Sequence, residues 1–130
     1  MKNSQIYLRT ALVYVRAYSK ESLNIYGLAE QEKAITDFAL KQGYRILEIF
    51  REQNLSARTF NRPAFRELME YLKSHRWKVK FILVSDFTRL STNKEELKRL
   101  RSFLRLEGIK VISVVGSMLR NSGKQPKQHL

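Results

Sequence analysis

Four short apolar runs, separated by segments with helical periodicity, constrain the fold of this chain more than any other feature. The runs are rich in Val and Ile and almost continuously apolar, which is typical of strands that are buried on both faces. They extend from Ala11 to Val15, Arg45 to Phe50, Val79 to Val84 and Ile109 to Val115. Regular alternation of strands with helices is typical of a parallel sheet with crossover helices. The sequence therefore predicts the α/β class, with a mainly parallel central sheet flanked by helices.

Three apolar stripes with helical spacing lie between these runs. Their members are Leu28, Ile35, Phe38 and Ala39, then Phe65, Leu68, Met69 and Leu72, then Leu97, Leu100, Phe103 and Leu104. Gly43 follows the first stripe and Gly108 the third, and glycine is the residue that most often ends a helix. Pro63 precedes the second stripe, where a proline suits a first helical turn. We therefore expect three helices between the four strands.

The composition indicates one globular domain and excludes several kinds of site. The chain has 130 residues, no cysteine and two histidines, His75 and His129, which are too isolated to suggest a metal. It has no apolar stretch of bilayer-spanning length and no signal-peptide core. The phosphate-binding patterns GxxxxGK[ST] and GxGxxG are also absent. We expect a cytoplasmic protein without a membrane partner, a metal or another cofactor.

A formal net charge of +13 favours a polyanionic partner, and nucleic acid is the first candidate. Four basic residues at helical spacing form a second face on the third predicted helix: Lys94, Lys98, Arg101 and Arg105. Glu95 and Glu96 lie off this stripe and neutralise little of it. The stripe is either a DNA-binding surface or simply a solvated helix face.

Polar, potentially reactive side chains follow three of the predicted strands. Ligands of open α/β sheets collect beyond the carboxyl ends of strands, so these segments are expected to meet at one edge. Four arginines then approach one phosphate there: Arg16, Arg58, Arg62 and Arg89. Guanidinium groups bind phosphate oxygens in a bidentate manner and stabilise charge that develops during phosphoryl transfer. No cluster of carboxylates suggests two-metal chemistry, so the pattern favours metal-independent attack by a hydroxyl among arginines.

The same segments resemble the catalytic domain of the serine recombinases, the resolvase/invertase family, from about Ala11 to Val115. "YVRAYSKES" resembles the family's Y-x-R-x-S-[ST] strand end, and "NLSARTFNRPAFRELM" its G-x-S-G-x-x-x-x-RP segment with the following helix. "VSDFTRLSTN" resembles its D-R-L-x-R loop. Three such motifs, in the right order on an α/β background, are together fairly specific.

The resemblance implies a mechanism and a set of site residues. In the family a serine hydroxyl attacks a DNA phosphodiester, forms a 5′-phosphoseryl linkage and releases a 3′ hydroxyl, while arginines bind the phosphate and no metal is required. Carried over by motif, Arg16, Arg62 and Arg89 match catalytic arginines. Ser56 matches the serine of the second motif, and it joins Arg58 and the basic stripe as a predicted DNA-binding residue.

The chain departs from the family pattern at several of these positions. Tyr18 lies where the nucleophilic serine belongs, and Ser19 is the adjacent hydroxyl. Thr88 replaces an acidic residue, Thr92 replaces a further arginine, and Asn54 and Ala57 replace glycines. Three alternatives stay open: Ser19 is the nucleophile, Tyr18 is the nucleophile, or the fold has lost its nucleophile and serves as a non-catalytic DNA-binding or interaction module. Binding of a small phosphate ligand by a flavodoxin-like protein is a weaker alternative.

The last part of the sequence predicts where the folded domain ends. We expect residues 1–116 to form the resolvase/invertase-type catalytic domain and residues 117–130 to form a basic, flexible tail. The family continues into a long dimerisation helix and a DNA-binding domain, so this pattern is that of either a truncated relative or an excised catalytic domain. DNA is the expected partner, and a homo-oligomer, dimer or tetramer, is expected in a full-length context.

Overall fold

A central, all-parallel sheet of four strands organises the computed structural model, which describes residues 9–17, 27–53 and 62–116. The strands are β1 (Thr10–Ala17), β2 (Arg45–Gln53), β3 (Phe81–Val84) and β4 (Lys110–Ser113). Their order in the sheet is β2-β1-β3-β4. The predicted α/β class with a parallel sheet is confirmed.

Three helices connect the strands: α1 (Leu28–Gln42), α2 (Pro63–Ser74) and α3 (Lys94–Leu106). Two short 3₁₀ turns, Arg76–Lys78 and Phe87–Arg89, flank β3. Gly43 ends α1 with φ of 78°, a left-handed conformation that glycine adopts without strain from a side chain. Pro63 is the first residue of α2, as the sequence predicts.

The helices cover both faces of the sheet and define two apolar layers. Successive residues of a strand point to opposite faces, and every residue of β1 is buried because strands flank it on both sides. The layer beneath α1 contains Ala11, Val13, Val15, Ile35, Phe38, Ala39, Leu83 and Val114. The layer beneath α2 and α3 includes Leu12, Tyr14, Phe50, Leu68, Leu72, Ile82, Val84 and Leu104. Burial of these side chains is the main favourable contribution to folding.

Some sequence expectations need correction. Burial on both faces is right for β1 but wrong for β2, which lies at an edge of the sheet and exposes Arg45, Glu48, Arg51 and Gln53. The third strand begins at Phe81, two residues later than Val79, and a 3₁₀ turn that ends at Lys78 comes before it. The fourth strand ends at Ser113 because residues 114–116 are helical. Phe103 does not join the core: it is 51% exposed beside a groove between α2 and α3.

The strand order determines where a ligand site forms. The connection from β1 leads to β2 on one side, whereas the connection from β2 leads to β3 on the other side of β1. The chain therefore reverses direction at β1, and such switch points leave a crevice at the carboxyl ends of the adjacent strands. Within the described ranges, no helix has the length and apolar character needed to cross a membrane. The predicted tail at 117–130 lies outside the described residues.

Candidate active site at the carboxyl edge of the sheet

Three of the predicted site residues meet at this crevice. Arg16 lies near the end of β1, Arg89 ends the 3₁₀ turn after β3, and Arg62 directly precedes α2. Arg89 Nη1 donates a hydrogen bond to the carbonyl of Arg16 at 3.1 Å. Arg62 donates through Nη2 to the carbonyl of Arg89 at 3.3 Å and through Nη1 to that of Leu90 at 2.7 Å. Contacts between guanidinium groups and backbone thus join three segments that are distant in sequence.

The remaining residues of the predicted catalytic set and two of the predicted DNA contacts fall outside the described residues. These are Tyr18, Ser19, Ser56 and Arg58. The choice of nucleophile therefore stays a prediction.

Gln31 of α1 fixes the backbone of Arg16. Pairing of β1 with β3 ends at Val13 and Leu83, whereas pairing with β2 continues to Ala17. A residue further along β1 therefore needs other partners on its β3 side. The Gln31 amide supplies them: its Oε1 accepts from Arg16 N–H at 3.1 Å, and its Nε2 donates to the Arg16 carbonyl at 2.7 Å. Because strand side chains alternate, Arg16 points to the same face as Tyr14, which is the face of α2 and α3. This clamp holds the Arg16 side chain, itself only 6% exposed, in a defined place.

A buried network connects Arg62 to the sheet. The hydroxyl of Tyr14 donates to Glu52 Oε1 at 3.0 Å and accepts from Arg62 Nε at 3.2 Å and Nη2 at 2.9 Å. Burial raises the pKa of Tyr14, and this effect outweighs the opposing influence of the Arg62 charge. The phenol therefore stays protonated and links the carboxylate to the guanidinium.

Glu52 also forms the cap of α2. Its carboxylate accepts from the backbone N–H of Ala64 at 3.3 Å and of Phe65 at 3.0 Å, two donors of the first helical turn. The residue at the N-cap position, Arg62, has no capping hydrogen bond from its own side chain. A carboxylate near a helix N-terminus is favourable both as an acceptor and through the helix dipole. Glu52 thus positions the helix that follows Arg62.

The guanidinium of Arg62 is largely occupied by the protein. Besides Tyr14 and the carbonyls of Arg89 and Leu90, it contacts the ring of Phe65, whose centroid lies 4.5 Å from its Cζ. This geometry makes Arg62 a brace between the start of α2 and the turn after β3. Few of its donors remain for a ligand.

The turn that carries Arg89 contains its own carboxylate. Asp86 caps the 3₁₀ turn: its Oδ1 accepts from Thr88 N–H at 3.0 Å and also from the Thr88 hydroxyl. Its Oδ2 lies 3.5 Å from Arg89 Nε. The family's acidic residue is replaced by Thr88, but a carboxylate two positions earlier contacts the same arginine. Thr92, at the position of the further family arginine, is exposed.

Comparison with known proteins decides the family. The family model described as "Resolvase, N terminal domain" matches residues 11–129. The chain belongs to the resolvase N-terminal domain family. No curated protein sequence matches it.

Solved structures agree with this assignment of the fold. A resolvase family site-specific recombinase from Streptococcus pneumoniae aligns with TM-score 0.71 and 20% identity, over 92% of this chain and 89% of that one. The N-terminal catalytic domain of TP901-1 integrase aligns with TM-score 0.69 and 20% identity, over 81% and 76% of the two chains. The C-terminal catalytic domain of ISC1926 TnpA, a serine recombinase, aligns with TM-score 0.68 and 20% identity, over 81% and 70%. The predicted identity as a site-specific recombinase catalytic domain is confirmed, and this family implies DNA as partner and oligomerisation in general.

The basic stripe of this resolvase domain lies along the exposed side of α3. Three of its members are exposed and Arg101 is half-buried. The four line a shallow groove of about 300 Å³ together with Leu97 and Ser102. Among the residues that the structure describes, no salt bridge involves the stripe. The charges of its three exposed members therefore face solvent, as a surface that contacts a polyanion requires.

Sequence reasoning missed three residues that build the site: Tyr14, Glu52 and Gln31. Tyr14 is the first residue of the motif that resembles the family, but its place in an apolar run predicts only a buried strand residue. Gln31 had a usable signal, because it lies four residues before Ile35 on the buried stripe of α1. No sequence signal identifies Glu52, because an acidic residue at the end of an edge strand is ordinarily exposed.

Proposed function

We propose that this resolvase domain binds a DNA phosphodiester at the carboxyl edges of β1 and β3, with Arg16 and Arg89 as the phosphate ligands. The observation that carries the proposal is the 3.1 Å hydrogen bond from Arg89 Nη1 to the Arg16 carbonyl, which brings the Arg89 guanidinium to the backbone of Arg16 near the end of β1. Both are more than nine-tenths buried. Charge–phosphate interactions are stronger in such a site than in water. Arg62 holds the two segments together and so acts as a positioning residue.

The hydroxyl that follows β1 performs the chemistry in this proposal. Its oxygen forms a bond to phosphorus, the bond from phosphorus to the DNA 3′ oxygen breaks, and that oxygen leaves with a proton. Ser19 and Tyr18 are the two candidates. Arg16 and Arg89 stabilise the negative charge that accumulates on the phosphate oxygens. The assembly that rejoins strands is proposed to be a dimer or tetramer of this domain in a full-length context.

DNA binding without cleavage is a second candidate function on the same fold. Arg62 is occupied by protein contacts, and Thr88 and Thr92 replace two charged family residues. Removing one preorganised contact to a reacting oxyanion costs about 2.7–4 kcal/mol of transition-state stabilisation. Several such losses favour a protein that retains phosphate binding but not strand cleavage.

A covalent-adduct assay separates the two functions. The chain is incubated with supercoiled DNA that carries candidate crossover sites, and denaturing gels report protein linked to DNA. If cleavage occurs through Ser19, Ser19→Ala abolishes the adduct and Tyr18→Phe leaves it, whereas the reverse pattern makes Tyr18 the nucleophile. If no adduct forms, but Tyr18→Ser combined with Thr92→Arg produces one, the domain has lost its nucleophile and the second function stands.

A binding assay tests the phosphate ligands independently of cleavage. Arg16→Lys and Arg89→Lys keep the charge but lose the bidentate fork, so each is expected to weaken binding to a short duplex by about tenfold or more. Arg45→Lys, at the opposite edge of the sheet, is the matched control and is expected to be neutral. Equal affinities for all three variants would contradict the proposed phosphate site.

A further inference from the structure

The four residues of the basic stripe do not share one environment. Lys94, Lys98 and Arg105 are exposed, whereas Arg101 is half-buried. The Cζ atom of Arg101 lies 4.1 Å from the centroid of the Phe87 ring. At this distance a guanidinium interacts favourably with the face of an aromatic ring. Arg101 is thus the stripe residue that contacts the segment after β3.

Phe87 is the first residue of the turn that carries Arg89. Its carbonyl accepts from Leu90 N–H at 3.0 Å and from Ser91 N–H at 3.2 Å, so its position determines the path of the turn. Its half-buried ring packs against the apolar layer beneath α2 and α3. Arg101 adds a contact to this ring from α3. The far end of the same turn reaches β1 through the bond from Arg89 to the Arg16 carbonyl.

We propose that Arg101 is a positioning residue: by stacking on Phe87 it holds the turn in the geometry with which Arg89 binds a DNA phosphate. This role rests on the proposed phosphate site. It separates Arg101 from the three exposed residues of the stripe, which act through their charge. It also couples the surface of α3 to the crevice at the sheet edge through one aromatic ring.

The proposal differs in a measurable way from three simpler roles. If Arg101 contributes only long-range positive charge, a lysine replaces it, and if it binds a phosphate directly through its fork, a lysine weakens binding whether or not the Phe87 ring is present. If Arg101 only packs on the surface, its substitution changes the stability of the fold and leaves DNA affinity alone. A positioning role requires the planar guanidinium, because an ammonium group is a compact point charge that does not stack in the same way.

The test measures the affinity of the full chain for a short DNA duplex at one fixed salt concentration. Arg101→Lys is expected to weaken binding about three- to fivefold, the range that a single cation–π contact supports. Arg105→Lys, on the same helix and without an aromatic partner among the described residues, is the matched control and is expected to change affinity less than twofold. The salt slope is expected to stay the same in both variants because the charge is retained.

Double variants test whether the loss of DNA affinity in Arg101→Lys depends on the Phe87 ring and on Arg89. The Phe87→Leu variant lacks the aromatic ring, so adding Arg101→Lys to it is expected to leave DNA affinity unchanged. The Phe87→Tyr variant keeps the ring, so adding Arg101→Lys to it is expected to weaken binding as it does in the unsubstituted protein. When Arg89 is already replaced by Lys, adding Arg101→Lys is also expected to cause no further loss of DNA affinity. Thermal unfolding of each variant verifies that the fold is intact.

Three results would overturn the proposal. Equal affinities of Arg101→Lys and Arg105→Lys would show that only charge matters. An undiminished effect of Arg101→Lys in the Phe87→Leu or Arg89→Lys background would show that Arg101 acts without the turn. If Arg89→Lys itself leaves DNA affinity unchanged, the proposed phosphate site fails and the positioning role falls with it, whereas the first two results leave that site standing.

Discussion

The charged residues at the carboxyl edge of the sheet and those on α3 contrast in how the protein holds them. At the sheet edge, Arg62, Arg89 and Glu52 are tied to backbone and side-chain partners and are largely or partly buried. On α3, Lys98 and its exposed neighbours on the stripe face water without a salt bridge in the described part of the chain. The first set therefore determines the local structure, and the second contributes charge with little effect on the fold.

This contrast follows from the energetics of desolvation. A buried charged group is tolerated when its hydrogen bonds are made, and removing one partner leaves the others unsatisfied at a high cost. An exposed charge keeps its hydration, so its removal changes the fold little. Substitutions in the two regions are thus expected to affect different measurements.

The largest effect on stability is expected from Glu52→Ala. The substitution removes the carboxylate that accepts from Tyr14, Ala64 and Phe65, and it leaves two buried donors and one partly buried donor without this acceptor. We expect the free energy of unfolding to fall by about 3–5 kcal/mol, as for the loss of one partner of a buried charged network. Urea denaturation measures it. Glu48→Ala, on the same strand at an exposed position, is the control and is expected to change stability by about 0.5 kcal/mol or less.

A smaller effect is expected from Tyr14→Phe. The ring and its burial are kept, but the hydroxyl that links Glu52 to Arg62 is lost. We expect a loss of about 1–3 kcal/mol, the usual cost of leaving buried partners unsatisfied. The same denaturation experiment checks it. A neutral result would show that Glu52 and Arg62 pair directly once the hydroxyl is gone.

How far the sequence predicts this molecule differs between its parts. The strands, the helices and the glycine at the end of α1 were predictable because periodicity and turn chemistry are local properties. The meeting of Arg16, Arg62 and Arg89 was predictable only in outline, since it depends on parallel strands ending at one edge. The roles of Gln31 and Glu52 were not predictable from the sequence. Each residue acts by contacting a segment that is distant in sequence, and periodicity does not identify such contacts.

The basic residues illustrate the same limit. Helical spacing predicted that Arg101 and Arg105 lie on one stripe, and they line one groove. Spacing could not predict that Arg101 stacks on Phe87, because the turn after β3 reaches α3 only through the packing of the sheet. Residues with the same charge on the same helix thus acquire different environments from tertiary structure.

An exposed ion pair is expected to contribute less than the buried network. Arg51 donates to both oxygens of Glu32 at 2.7 and 2.9 Å, and this interaction lowers the pKa of Glu32. A carboxyl group whose pKa is lowered on folding stabilises the fold above its unfolded pKa, and this contribution is lost as the pH falls through the lower folded value. Arg51→Ala is expected to cost about 0.2–1 kcal/mol at neutral pH, with the difference vanishing at the acid end. Denaturation at several pH values measures it, and a difference that persists in acid would contradict the electrostatic explanation.

The smallest effect on stability per substituted residue, and the strongest test of the contrast, is expected from the exposed part of the stripe. Replacing Lys94, Lys98 and Arg105 together with Ala removes three exposed charges of one sign, so the free energy of unfolding should change by about 0.5 kcal/mol or less per residue. DNA binding should change much more: each lost phosphate contact lowers the slope of log affinity against log salt by about 0.9, or about 2.7 for three. The matched control removes the same charge at the opposite edge of the sheet, through exposed Lys41, Arg45 and Lys73. If both triple variants reduce the slope equally, net charge rather than the position of the stripe governs binding, and α3 is only a solvated face.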